Sequence, residues 1–210
     1  MNLALDALPW LSMIGLILAA IVTAIVAVVA KQPLLGLVSV LPVAIWVLVL
    51  AFGANPVAPL SALWSFTALG FAILGVVAGS PLTVLVLNRT APGDAVLGTH
   101  GGIIVDEKDA GTEGGKTAKS AVTATREVLR GGSTIGYLER VAIVGAIAVG
   151  HIEVLAAIIA IKGLGRYSEL DSPAARERFI IGTLVSMIWA SVCGALILFG
   201  GQGVITWAVG

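Results

Sequence analysis

Charge is scarce in this chain. Asp, Glu, Lys and Arg make up 11% of its 210 residues, and hydrophobic residues make up 58%. An ordinary soluble domain carries about 25% charged residues, so a water-exposed globular surface is excluded. The acidic and basic residues also balance, twelve of each. No net positive field is left to attract nucleic acid. Cys193 is the only cysteine, which excludes an internal disulfide. The N-terminus lacks the basic segment of a secretory signal peptide, its one early charge being Asp6. The first apolar run is therefore expected to stay as a permanent helix. Internal repeats and low-complexity tracts are absent as well.

What remains is apolar sequence in runs long enough to cross a bilayer, with a mean hydropathy of +1.05. A crossing helix needs about 20 apolar residues. Such runs occupy residues 9–30, 33–52, 60–87, 141–161 and 179–199. The expected fold is all-α: a polytopic membrane bundle of about five transmembrane helices. Three helices fill residues 1–87. A polar loop covers 88–134. A transmembrane helical hairpin with a short tail covers 135–210. Pro42 removes a backbone donor from the second run and should bend it. The third run is longer than one crossing requires. It is expected to tilt or to break near Gly79-Ser80-Pro81.

Basic residues close to span ends orient a membrane protein, because Lys/Arg-rich loops stay in the cytoplasm. Lys31 follows the first run, and none follows the second. Arg89, Lys108, Lys116, Lys119, Arg126 and Arg130 lie in or beside the polar loop. The N-terminus is thus expected outside and the loop in the cytoplasm. A conflict follows. The connector after the fourth run carries Lys162, Arg166, Arg176 and Arg178, yet five simple crossings place it outside. Either the rule is overridden there or the fourth run does not cross fully.

In the loop, residues 101–105 read as a short strand. Residues 116–130 read as a helix closed by Gly131-Gly132, its lysines and arginines suited to anionic headgroups. Residues 110–117 nearly fit the phosphate-binding pattern G-x-x-x-x-G-K-[ST], with Ala110 at the first position. That chemistry needs a strand directly before it, a helix directly after it and a parallel sheet around both. The loop is too short for such a fold, and a glycine-rich solvated segment is the better reading. His100 and the acids at 106–109 likewise read as solvated charge, not as a metal site.

The fourth run is the informative one. Glu139, Arg140, His151, Glu153 and Lys162 lie in or beside it. On a continuous helix Glu139 and Glu153 share one face, within about 40°, while His151 and Glu153 point opposite ways. An ionisable group at mid-membrane costs about 3 kcal/mol on insertion scales. His151 and Glu153 therefore serve either chemistry or helix pairing. Two ligands on opposite faces cannot share an ion, and the other four runs supply no titratable relay. No cofactor and no metal is expected. Small residues recur every four positions at Ala142, Ala146 and Gly150, and at Gly182, Ser186, Ala190 and Gly194. Such ladders let helix backbones approach. They suggest that the fourth and fifth runs pack as an antiparallel hairpin. Thr183, Ser186 and Ser191 are then available to Glu153 or His151. Gly75 and Gly79 offer another close-approach face, and Cys193 reads as a small packed residue.

The C-terminal third carries Ile135-Gly136-Tyr137-Leu138-Glu139-Arg140, then Gly150-His151-Ile152-Glu153. Lys162, Arg166-Tyr167 and the run from Glu177 to Ser186 follow. In these residues it resembles a hairpin of uncharacterised bacterial inner-membrane proteins. Glu139, Arg140 and Glu153 match that pattern, whereas His151 stands where Gln is usual. The resemblance implies a bacterial plasma-membrane location and brings no activity with it.

The sequence thus points to a non-catalytic accessory or scaffold subunit of a larger membrane complex. Its partners would be the lipid bilayer and a membrane protein or further copies of itself. The alternative is a small transporter or channel subunit using Glu153 and His151 in a polar path. No catalytic set is present. Glu139, Arg140, His151, Glu153 and Ser186 are the candidate functional or helix-pairing residues.

Overall fold

The computed structural model describes residues 3–53, 57–90, 103–105, 126–128, 132–166 and 173–200. Seven α-helices account for nearly all of them. They are α1 (Leu3–Val29), α2 (Val40–Ala51), α3 (Ser61–Val77), α4 (Gly79–Thr90), α5 (Gly132–Ala148), α6 (Val154–Arg166) and α7 (Pro173–Gly200). A 3-10 segment, Pro33–Ser39, leads directly into α2. Pro42 stands in the first turn of α2, so its missing N–H removes a bond that would reach back to Val38.

Among the described residues three helical stretches are long and apolar enough to cross a membrane: Leu5–Val29, Pro33–Ala51 and Arg176–Gly200. A fourth candidate is α3 and α4 together, which meet at a 40° bend. The break falls at Ala78, where Gly79, Ser80 and Pro81 were expected to interrupt the third run. Among the described residues the protein is thus an all-helical bundle with three or four candidate spans.

The fourth expected crossing, over residues 141–161, is not one helix. It is split into α5 and α6 by a turn at residues 149–153. Gly150 adopts φ +84°, a left-handed conformation that glycine takes at no steric cost. Its N–H donates to the Ile147 carbonyl at 2.9 Å, and the His151 N–H donates to the Ala146 carbonyl at 2.8 Å. This pair of bonds is the Schellman helix stop. Lys162 of α6 then pairs with Glu139 of α5, so α6 runs back alongside α5.

In the polar segment the described residues form a small antiparallel ribbon, β1 (Ile103–Val105) and β2 (Arg126–Val128), with Ile104 opposite Glu127. The expected strand is present. The helix expected over 116–130 is not continuous to its end, because 126–128 pair as strand. The phosphate-loop-like residues 110–117, along with His100 and the acids at 106–109, lie outside the described residues.

The main core joins α1, α2, α3 and α7 around Trp10, Ile17, Trp46, Phe71, Leu74 and Cys193. A second cluster seats α5 on α7 through Ile143, Val144, Ile147, Met187 and Ala190. Small residues set the approach distances. A Cβ on Gly194 would meet the Ile147 Cβ at 2.9 Å, and one on Gly75 would meet the Cys193 Cβ at 2.9 Å. The α7 ladder is therefore a packing face. The α5 ladder is not: Ala142 and Gly150 are exposed, and α5 packs through the bulkier stripe of Ile143, Val144 and Ile147.

Candidate functional site

The most polar point inside the bundle is Arg140. It is 4% exposed and faces the break between α3 and α4. Its Nε donates to the Val76 carbonyl at 2.7 Å. Its Nη1 donates to Ser186 Oγ on α7 at 2.9 Å, and its Nη2 to Ser80 Oγ on α4 at 2.8 Å. The Tyr137 ring, one turn earlier on α5, lies 4.8 Å from the guanidinium carbon. One side chain thus ties four helices together.

The local sequence explains why Arg140 fits. The Val76 carbonyl belongs to the last turn of α3, where carbonyls lose their intrahelical partners. A cation is also favoured at a helix C-terminus. Gly79 supplies the room: a Cβ there would stand 2.6 Å from the Arg140 Cδ. The planar guanidinium fork reaches these three acceptors from three separate nitrogens, whereas an ammonium's three donors share a single one. All three acceptors are neutral. Among the described residues no carboxylate lies within ion-pair distance of Arg140. Glu139, its neighbour in sequence, turns to Lys162 instead.

The Glu139–Lys162 pair is nearly enclosed, with side chains 13% and 16% exposed. The Lys162 Nζ also sits 5.7 Å from the centre of the Phe179 ring on α7. This pair closes the open end of the α5–α6 hairpin. His151 and Glu153 form a third pairing, in the turn at the other end. His151 Nδ1 lies 2.8 Å from Glu153 Oε1, and the two side chains are 65% and 68% exposed.

Two expectations are therefore corrected. His151 and Glu153 were placed on opposite faces of one helix. The helix stops between Ala148 and Val154, and the turn brings the two together. Ser186 was matched to Glu153 or His151; it accepts from Arg140. The candidate residues form three separate pairings, with Arg140 and Ser186 in one, Glu139 in the second, and His151 and Glu153 in the third. Ser80 and Val76 were not anticipated. Their contacts with Arg140 span 60 and 64 residues, and no local pattern encodes such a pair. Among the described residues no group of three His, Cys, Asp or Glu could hold a metal ion.

Two buried polar atoms among the described residues have no hydrogen-bond partner: Trp46 Nε1 and Thr83 Oγ1. Thr83 lies one turn beyond Ser80 on α4, with its methyl against α7 at Gly182. Trp46 belongs to an edge-on aromatic cluster with Trp10, whose ring centre is 5.2 Å away. Trp10 in turn meets Trp64 at 6.1 Å.

No protein-family model, no curated protein and no solved structure matches the chain.

Proposed function

We propose that this protein is a non-catalytic, multi-pass component of a bacterial plasma membrane, acting as an accessory or scaffold subunit of a larger complex. Its N-terminus would lie outside and its polar segment in the cytoplasm. One observation carries the reading: the charged side chains inside the bundle, Arg140, Glu139 and Lys162, are all satisfied within it. Arg140 spends three donors on α3, α4 and α7, and Glu139 and Lys162 close on each other. Groups used this way fix helix positions and leave little to bind or move a solute. The resemblance of the C-terminal hairpin to bacterial inner-membrane proteins supports the location.

A small transporter or channel subunit remains the second reading. The broken α3–α4 span favours it, because transporters use such discontinuities. A polar path through His151 and Glu153 gains no support from their mutual pairing at the turn.

Purification in nanodiscs at native expression, followed by mass determination and partner identification, tests the choice. Stoichiometric foreign subunits are expected. A homo-oligomer that conducts a solute in flux assays would overturn the scaffold reading.

A further inference from the structure

We propose that α5 and α6 enter and leave the bilayer on the same side, so that the connector after α6 shares a side with the polar segment before α5. The inference rests on the membrane location proposed above, but not on which side is the cytoplasm.

The directions of the helices follow from their contacts. Along α7, Gly182 meets Thr83 and Leu87, while Gly200 meets Trp64. Trp189 Nε1 donates to the Leu74 carbonyl at 3.2 Å. Rising numbers on α7 thus meet falling numbers on α3–α4. The bent pair is one path antiparallel to α7, and Thr90 lies at the same end of the bundle as Pro173. The α5 helix runs the other way relative to α3–α4. Arg140 meets Gly79 and Ser186, Val144 meets Gly75, and Ile147 meets Gly194. It is therefore parallel to α7 and begins at the end where α4 stops. The α6 helix returns: its Lys162 reaches Glu139 on α5 and Phe179 near the start of α7. The hairpin is a detour, and it ends where it began.

This geometry removes the conflict in the charge pattern. A fourth run that crossed once would separate the two most basic connectors of the chain. With the hairpin, Arg89 at the end of α4 and Arg166, Arg176 and Arg178 around the α6–α7 connector fall at one end of the bundle. Lys31 lies toward the same end, because the Pro33–Ser39 segment that follows it packs on the first turn of α4 through Gly36 and Pro81. Asp6 and the Trp10–Trp46–Trp64 cluster occupy the opposite end. Lys and Arg concentrated on one face is the arrangement that the positive-inside rule selects. The short arms of the hairpin also make sense. The helix α5 rises about 25 Å at 1.5 Å per residue, and the apolar part of α6, Val154–Gly163, is shorter still. Neither needs to span the hydrocarbon core, about 30 Å, by itself.

Single cysteines in a Cys193→Ala background test the proposal. Ser120→Cys marks the polar segment, Ser168→Cys the connector, and Val57→Cys the α2–α3 turn. Each is exposed to a membrane-impermeant maleimide, before and after permeabilisation of the cells. Labelling of Ser120→Cys and Ser168→Cys from one side, and of Val57→Cys from the other, is the expected result. Labelling of Ser120→Cys and Ser168→Cys from opposite sides would overturn the hairpin. If both label in intact cells and Val57→Cys only after permeabilisation, the hairpin stands and the proposed orientation fails. Epitope tags at the two termini give an independent check that needs no cysteine. The hairpin puts both tags on one side, and five crossings would put them on opposite sides.

Discussion

The first three helices and the α5–α6 hairpin are built on different physical terms. The α1–α3 region is held by shape. Trp10, Trp46 and Trp64 interlock edge to face, and Ile17 packs where Gly70 leaves no side chain. Its hydroxyls bond within their own helix: Thr23 to the Ala20 carbonyl and Thr67 to the Leu63 carbonyl. Around the hairpin the polar side chains reach across helices instead, from Arg140 to α3, α4 and α7 and from Lys162 to Glu139. In a bilayer, packing supplies most of the association energy, and each interhelical hydrogen bond adds only about 0.6 kcal/mol on average. The polar half therefore gains position more than stability. Arg140 selects one depth and one rotation for α5 against the break, which apolar ridges alone would leave looser.

The largest effect should come from filling the space that Arg140 occupies. Gly79→Leu places carbon where the Arg140 Cδ already stands, at 2.6 Å for the Cβ alone. It should cost about 3 kcal/mol in SDS or steric-trapping unfolding, the upper range for overpacking. Gly145→Leu, whose Cβ meets nothing within 4 Å, is the matched control and should change little. Gly70→Leu in the first region should fall between them, because it meets only the Ile17 side chain.

Next comes a pair of substitutions at Arg140 that separates charge from shape. Arg140→Lys keeps the cost of a buried cation, about 3 kcal/mol on insertion scales, yet loses the fork. Arg140→Met loses all three bonds and also that cost. Replacing buried ions with apolar groups of similar volume is often neutral. Arg140→Met should therefore be the more stable of the two, by about 1 kcal/mol, while loosening the α3–α4 bend. A lysine variant more stable than the methionine one would show that the charge, not the fork, holds the break.

The Glu139–Lys162 pair should show coupling of the same kind. Glu139→Gln leaves a nearly enclosed ammonium and should cost about 2 kcal/mol. The double variant Glu139→Gln with Lys162→Met should recover most of it in a double-mutant cycle. Additive losses would mean that the pair contributes no mutual energy.

These contrasts also explain what could be read from the sequence. The apolar runs, the helical class and the break at Gly79-Ser80-Pro81 are local, and composition alone encodes them. The α7 ladder is likewise written in its four-residue spacing. The stop at Gly150 is not, because one glycine within an apolar run lowers helix stability by only about 1 kcal/mol. The regular spacing of Ala142, Ala146 and Gly150 disguised the stop as a packing face. The charge pattern carried the better signal: basic residues on both sides of the fourth run go against the positive-inside rule if that run crosses once. Arg140 was visible as a candidate, but its acceptors were not, since Val76 and Ser80 lie 64 and 60 residues away.

Two helix stops offer a smaller test of the same contrast. Gly150 and Lys31 both occupy left-handed turns, at φ +84° and +54°. The Gln32 N–H donates to the Ala27 carbonyl at 3.0 Å, the same reach-back that closes α5. A side chain in this conformation costs about 1 kcal/mol. Gly150→Ala should therefore lose about that much, and Lys31→Gly should gain a similar amount in the first region.

The smallest effect belongs to the turn itself. His151 and Glu153 bond to each other on the outer surface of the bundle, so the pair fixes no helix against another. Glu153→Gln should leave the unfolding midpoint within error. A Glu153→Gln loss comparable to that of Glu139→Gln would place the turn among the groups that hold the bundle together. The hairpin would then be fastened at both ends instead of by Glu139 and Lys162 alone.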